Sequence, residues 1–187
     1  MPTTFKIVMI KLAILDVDGV LTDGKKLTDA EAKSIAKQFN DKDFIAIKKL
    51  QASGASVCFL SGDKNVNEAV AKKRSIDFYH AHTSSGHMNK KDFLPMLFQK
   101  YGADVASTLY IGDDYIDIEI MKALIHTYCP ADATLDVRRV AKKILTRSGG
   151  TGVLSELYDE LVLEGLVREC TFQEFLEVDR IEKEKRK

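Results

Sequence analysis

The stretch Ile7-Val8-Met9-Ile10-Lys11-Leu12-Ala13-Ile14-Leu15-Asp16-Val17-Asp18-Gly19-Val20-Leu21-Thr22 decides the fold. A largely apolar run ends in two acids one residue apart, then in small, turn-forming residues. That is the profile of a buried strand delivering a polar end to a loop. Two carboxylates so close repel one another, and burial raises the pKa of each. A strand exit carries such a pair when a cation offsets the charge or when one acid must be protonated to work. The plainer alternative is a surface turn with two solvated acids, since Asp and Gly are ordinary turn residues.

Outward from this stretch, short apolar runs alternate with longer amphipathic ones. Strands are expected at Leu12–Val17, Ala55–Leu60, Asp77–Tyr79, Thr108–Ile111, His126–Cys129 and Ile144–Leu145. Helices are expected at Asp43–Ser53, Val66–Arg74, Lys90–Tyr101, Tyr115–Leu124, Leu135–Lys142, Val153–Leu163 and Phe172 to about Lys185. The alternation predicts an α/β fold, a parallel central sheet with helices on both faces. Ligands in such sheets bind beyond the carboxyl ends of the strands. Polar residues stand there repeatedly: Asp16 and Asp18, then Ser61, then Asp113 and Asp114. Residues 24–40 read two ways. Local propensity favours a helix over Asp29–Gln38 capped by Thr28 or Asp29; the other reading is a hairpin turning near Asp29–Ala32.

The 187 residues suit one domain with a sizeable core. Lys plus Arg and Asp plus Glu are both 28, which gives no sign of a polyanion-binding surface, so no nucleic-acid partner is expected. Apolar runs are too short to span a bilayer, and Met1–Lys6 lacks the shape of a secretory signal. Cys58, Cys129 and Cys170 form an odd set without pairing pattern, read as reduced core thiols in a cytoplasmic protein.

One mechanism accounts for the clusters at the strand ends. A carboxylate attacks a phosphate ester when a divalent cation screens the repulsion, giving an acyl phosphate. A second acid protonates the departing alkoxide and then takes a proton from the hydrolysing water. A hydroxyl and a lysine hold the phosphoryl oxygens, and a further acid completes an oxygen-rich magnesium site. The motifs Asp16-Val17-Asp18-Gly19-Val20-Leu21-Thr22, Leu60-Ser61-Gly62, Lys90, and Gly112-Asp113-Asp114-Tyr115-Ile116-Asp117, each near a strand end and in this order, resemble the four motifs of the haloacid dehalogenase superfamily of phosphatases. The resemblance covers roughly residues 10–160 and implies a three-layer α/β/α Rossmann-like fold. It implies Asp16 as nucleophile and Mg2+ ligand, and Asp18 as general acid/base whose backbone carbonyl also meets the metal. Ser61 and the Gly62 amide would bind the phosphoryl group, and Lys90 would neutralise it. Asp113 would be the second side-chain metal ligand, with Asp114 and Asp117 as supporting carboxylates.

The first inter-motif gap leaves about seventeen residues, Gly24–Asn40, too few for a helical cap domain, so a capless member is expected. Phe39-Asn40-x-x-Asp43 and Arg147-x-Gly149-Gly150-x-Gly152 resemble the capless phosphatases of 3-deoxy-octulosonate 8-phosphate and nononate 9-phosphate (the sialic-acid type). That resemblance implies a hairpin projecting over residues 24–40, a homotetramer whose subunits cover one another's sites, and a small acidic sugar phosphate as substrate. A single phosphatase domain over 1–163 and a helical extension over 164–187 are expected. Asn40, Asp43, Asp63, Lys64 and Lys73 are the candidates for substrate contact. Asp63-Lys64 stands where octulosonate enzymes typically carry Arg and is more like the Glu-Lys pair of nononate enzymes, which leans the reading towards nononate; an acid there would repel a sugar carboxylate and favour hydroxyl or amide donors. Phe44 and Ser155 also depart from the branch pattern. A related domain fused to sugar-nucleotide synthetases serves in oligomerisation, so a non-catalytic assembly module is the rival reading, and a phosphatase for another small metabolite the second.

Other patterns read more plainly. His80-x-His82 and His87 have no accompanying Cys or fourth ligand for zinc, and His82 or His87 is instead a candidate to line the site. Gly149-Gly150-Thr151-Gly152 lacks a Walker lysine and reads as a flexible covering loop. Arg138-Arg139 and the tail Arg180–Lys187 read as solvated surface.

Overall fold

The computed structural model describes residues 9–185 of the chain. The first eight residues, including the segment read as not a signal and the start of the opening apolar run, lie outside the described residues, as do Arg186 and Lys187.

Six parallel strands form the central sheet: β1 (Leu12–Leu15), β4 (Ser56–Ser61), β5 (Asp77–His80), β8 (Thr108–Ile111), β9 (His126–Cys129) and β10 (Lys143–Ile144), in the spatial order β10-β9-β8-β1-β4-β5. Leu15 lies beside Phe59 on one side and Ile111 on the other. β1 is thus flanked by two strands distant in sequence, and the chain reverses its direction of winding at the β1/β8 boundary. Side chains alternate across the sheet. Ala13, Leu15, Phe59 and Ile111 face helices α1 (Asp41–Ala52) and α6 (Val153–Leu163). Ile14, Cys58, Leu60 and Tyr110 face α3 (Leu94–Tyr101), α4 (Ile118–Ala123) and α5 (Leu135–Val140). Both faces are dry, which explains the near-continuous apolar strands. Cys58 and Cys129 are buried core thiols, and Cys170 is half-buried.

The segment after β1 is a hairpin of β2 (Leu27–Thr28) and β3 (Ser34–Ala36), not the helix that local propensity favoured over Asp29–Gln38. Asp29 decides this: its Oδ1 accepts the Glu31 and Lys33 amides at 3.1 and 2.8 Å, so the would-be cap closes a turn instead. Two expected helices start as 3-10 turns, Lys90–Phe93 and Tyr115–Asp117. The first gives way to α3, where Pro95 sits in the opening turn. A small hairpin, β6 (His82–Thr83) with β7 (Gly86–His87), follows β5 and had no clear sequence signal.

α2 (Asn65–Lys73) follows β4, and α7 (Phe172–Glu184) closes the described chain with a capping box between Thr171 and Glu174. The tail is less solvated than its charge suggested. Lys48 of α1, 9% exposed, pairs with Asp179 and, at 3.1 Å, with Glu182, itself 6% exposed. Removing one partner of a buried ion cluster costs far more than the pair contributes against an apolar replacement. Lys48→Ala should therefore lower unfolding stability by about 3 kcal/mol in urea denaturation and speed hydrogen exchange in α7. A loss under about 0.5 kcal/mol would make the pairs solvent-screened surface contacts.

Candidate active site

The carboxyl ends of β1, β4, β5 and β8 open into one cleft of about 560 Å³, lined by Asp16, Asp18, Ser61, Gly62, Asp113 and Asp114 among others. It lies at the switch of winding direction, where a parallel sheet leaves room for a ligand.

Asp16 is the first residue beyond β1 and is 4% exposed. Its Oδ1 accepts the Val17 amide at 2.8 Å and faces Lys90 Nζ at 3.0 Å. Burial pushes its carboxyl up to about 7; Lys90 opposes that and Asp117 adds to it. Asp113, just beyond β8, is pushed up to about 8 by burial and then by the charges of Asp16, Asp117 and Asp114. Carboxylate oxygens of Asp16, Asp113 and Asp117 lie within 4.8 Å of one another. Three acids so close, with one lysine among them, are short of positive charge, and a hard divalent cation suits an all-oxygen set.

Asp117 organises this cluster and is saturated by it. Its Oδ1 accepts from Lys90 at 2.7 Å and from the Tyr110 hydroxyl at 2.6 Å. Its Oδ2 accepts the amides of Asp113 and Asp114 at 2.9 and 3.0 Å. A carboxylate offers about four lone-pair sites, so Asp117 has none left for a metal; Asp16 and Asp113 remain. Burial pulls Lys90 towards neutrality, but the facing charges of Asp117 and Asp16 outweigh it and hold the lysine protonated. Asp114 lies at the rim, where its Oδ1 caps the turn by accepting the Tyr115 amide at 2.7 Å.

Two glycines make the approach possible. A Cβ on Gly19, at φ +79°, would stand 1.9 Å from Asp113 Oδ2; one on Gly112 would stand 2.4 Å from Asp117 Oδ2. The motif glycines are thus spaces for carboxylates as well as turn formers.

Ser61 Oγ accepts from Asn67 Nδ2 at 3.0 Å and from the Asp63 amide at 3.3 Å. With both acceptor sites used, its own O–H is left to donate into the cleft. Asp18 shares Asn67, whose Nδ2 donates to Asp18 Oδ2 at 3.1 Å. Lys37, from the end of the hairpin, donates to Asp18 Oδ1 at 2.6 Å. Lys37, Asn67, Tyr110 and Lys26 were not foreseen as part of the site. A lysine in a charged segment reads as surface, and a tyrosine in an apolar strand reads as core. Asn67 left a faint trace, a poor helix former one turn beyond Ser61-Gly62.

The substrate candidates divide. Asp63 and Lys64 line the cleft, as do Lys26, His80 and His82. Burial works against the charge of Asp63, but hydrogen bonds from Lys37 and Lys26 outweigh it and hold its carboxyl below the usual range. Asp63 therefore does not present the bare negative charge expected of it. Asn40, Asp43 and Lys73 do not line the cleft. Asn40 caps α1 by accepting the Lys42 amide at 3.0 Å. Asp43 is buried and accepts the Leu154 amide of α6 at 2.8 Å, and burial pushes its carboxyl up to about 6. Lys73 is exposed on α2.

His80 Nε2 is bound to the Gly62 carbonyl oxygen at 3.1 Å, and the His87 side chain lies outside the described residues. The glycine-rich segment 149–152 does not cover the cleft. The Gly150 amide donates to Val20 O at 2.9 Å, and a Cβ on Gly149 would stand 2.0 Å from Gly19 O. It braces the loop that carries Asp18.

Comparison with known proteins agrees with this geometry. Residues 64–157 match the family model of the haloacid dehalogenase-like hydrolases. The 3-deoxy-D-manno-octulosonate 8-phosphate phosphatase of Haemophilus influenzae is 32% identical over 157 residues, 84% of this chain and 85% of that protein. Its cobalt-bound structure superposes with a TM-score of 0.75 at 31% identity, covering 82% of this chain and 88% of that one. The Moraxella catarrhalis phosphatase of the same name, solved with magnesium, phosphate and its sugar, gives 0.73 at 26% identity over 82% and 86%. The chain belongs to the haloacid dehalogenase-like hydrolases, in the phosphatase branch that these relatives represent.

Proposed function

We propose that this phosphatase hydrolyses the phosphomonoester of a small acidic sugar, of the 3-deoxy-octulosonate 8-phosphate type, through an aspartyl phosphate on Asp16. The observation that carries the reading is the meeting of Asp16, Asp18, Ser61 and Asp113 in one cleft at the carboxyl edge of the sheet, with the buried Lys90 3.0 Å from Asp16. The oxygen-only pair of buried Asp16 and half-buried Asp113, with the Asp18 backbone carbonyl, would hold Mg2+, whose charge would screen the approach of an anionic ester to Asp16. The remaining chemistry belongs to the chain. An Asp16 carboxylate oxygen forms the bond to phosphorus as the ester P–O bond breaks, and the proton on Asp18 passes to the departing alkoxide. Ser61 O–H and the Gly62 amide hold the phosphoryl oxygens, and Lys90, whose three hydrogens face Asp16, Asp117 and the Tyr110 hydroxyl, orients the Asp16 carboxylate. Water then attacks phosphorus, its proton goes to Asp18, and the acyl-phosphate P–O bond breaks to restore Asp16.

The octulosonate substrate is the one named for the relatives. The physical half of the case for nononate rested on Asp63 as a repelling charge, and its pairs with Lys26 at 3.0 Å and Lys37 at 2.8 Å remove it. The completeness of the site favours an enzyme over an assembly module. Leu27 and Ile35, 67% and 60% exposed on the hairpin, support the hairpin as an interface between copies of this chain, as in the homotetramer that the resemblance implies. No helix among the described residues is long and apolar enough to cross a membrane. The unpaired core thiols support a cytoplasmic location.

A phosphate-release screen over sugar phosphates with magnesium, including octulosonate 8-phosphate and nononate 9-phosphate, should show octulosonate 8-phosphate turned over fastest. No release from any ester would favour the assembly module. Asp16→Asn should cut turnover by at least about 1,000-fold with folding intact, and unchanged hydrolysis would remove Asp16 as nucleophile.

Metal binding should also depend on pH. Both ligands bind protons more tightly in the folded protein than in the unfolded chain. Without metal they favour folding at low pH, and that contribution is lost as pH rises through about 7 and about 8. A cation must displace those protons. The rise in Tm on adding Mg2+ should therefore be larger at pH 8.5 than at pH 6; a larger rise at pH 6 would place the cation elsewhere.

A further inference from the structure

We propose that Lys37 and Asn67 are positioning residues for Asp18, holding its carboxyl in the cleft and away from the cation site; this rests on the reading of Asp18 as general acid. The Lys37 side chain is fully buried, although it arrives from the hairpin. Its ammonium has three hydrogens and three acceptors: Asp18 Oδ1 at 2.6 Å, Asp63 Oδ2 at 2.8 Å and Asn67 Oδ1 at 2.9 Å. None is left for a substrate, and Lys37 does not line the cleft. A lysine with its donors spent on side chains is a fastener, not a ligand.

Asn67 has no exposure and completes the arrangement. Its amide oxygen faces Lys37, which turns its NH2 towards Asp18 Oδ2 at 3.1 Å and Ser61 Oγ at 3.0 Å. The same group thus sets the general acid and the phosphate-binding hydroxyl. Each oxygen of Asp18 receives one of these two hydrogen bonds and retains another lone-pair site, and the side chain stays 22% exposed on its cleft side. The restraint answers a physical need. A carboxylate two residues from a divalent cation is drawn to it, and once bound it cannot carry a proton to the leaving group. Lys37 supplies a competing positive charge 2.6 Å from Asp18 Oδ1, and Asp18 is not among the acids whose oxygens cluster within 4.8 Å, Asp16, Asp113 and Asp117. General acid catalysis contributes only when donor and acceptor are within hydrogen-bond reach, so a released Asp18 loses much of its effect.

The leaving group provides the test. A sugar alkoxide needs a proton to depart, whereas 4-nitrophenolate does not, and kcat/KM reports the first transfer alone. Lys37→Met should lower kcat/KM about 100-fold for the sugar phosphate turned over fastest in the screen, and less than about 5-fold for 4-nitrophenyl phosphate. Asp18→Asn should show the same selectivity. Asn67→Ala, which changes no charge, should show it more weakly and carries the test if Lys37→Met does not fold. Equal losses on both esters, or none, in the variants that fold would overturn the proposal. A wild-type protein inert on every ester, or an active Asp16→Asn variant, would instead overturn the reading of the site itself.

Discussion

Everything in this molecule answers to a surplus of buried negative charge at the exit of two adjacent strands. Asp16 ends β1 and Asp113 follows β8; in parallel register their neighbourhood is unavoidable once Leu15 pairs with Ile111. Asp117 adds a third carboxylate one turn on. Unpaired charges in a dry interior are costly enough that such groups shift their protonation or recruit partners. Here Lys90 is the resident cation, held by Asp16 at 3.0 Å and Asp117 at 2.7 Å. The deficit that remains is the chemical reason for a divalent ion.

The fold serves this constraint. Helices on both faces keep water from the strands, which keeps the charges at the sheet edge strong. Gly19 and Gly112 give up side chains so that carboxylates can approach backbone. The Asp117 side chain, accepting two backbone amides, makes the loop after β8 an anchor for Asp113. The glycine-rich segment 149–152 packs on the loop after Asp18 and leaves that loop little freedom. A second charge group, Asp18, Asp63, Lys26 and Lys37, balances itself beside the first. The two acids of the opening motif therefore live in different electrostatic neighbourhoods only two residues apart, which suits a nucleophile and a proton carrier.

The sheet was legible because its signals are local and redundant: buried parallel strands read as apolar runs, and acids at their ends have few other uses. Asp16, Asp18, Ser61 and Asp113 stood out at the strand ends, and the structure brings them into one cleft; Lys90, legible through its family motif, stands buried 3.0 Å from Asp16. The hairpin was ambiguous because its helix signal is local, while Asp29 acts by closing a turn on Glu31 and Lys33. Lys37 was invisible because a lysine's role depends on what folds against it. Asp43 pointed to substrate by motif, but it meets the α6 amide of Leu154 across a packing interface that spacing does not encode.

The proposed chemistry has Asp16 attack phosphorus and carry the phosphoryl group. Rapid quenching during turnover, borohydride reduction and peptide mass spectrometry test it most directly, because an acyl phosphate is reduced to the alcohol and leaves homoserine in place of the aspartate. Homoserine is expected at position 16, dependent on substrate and on magnesium. Reduction at another acid, or none during active turnover, would contradict it.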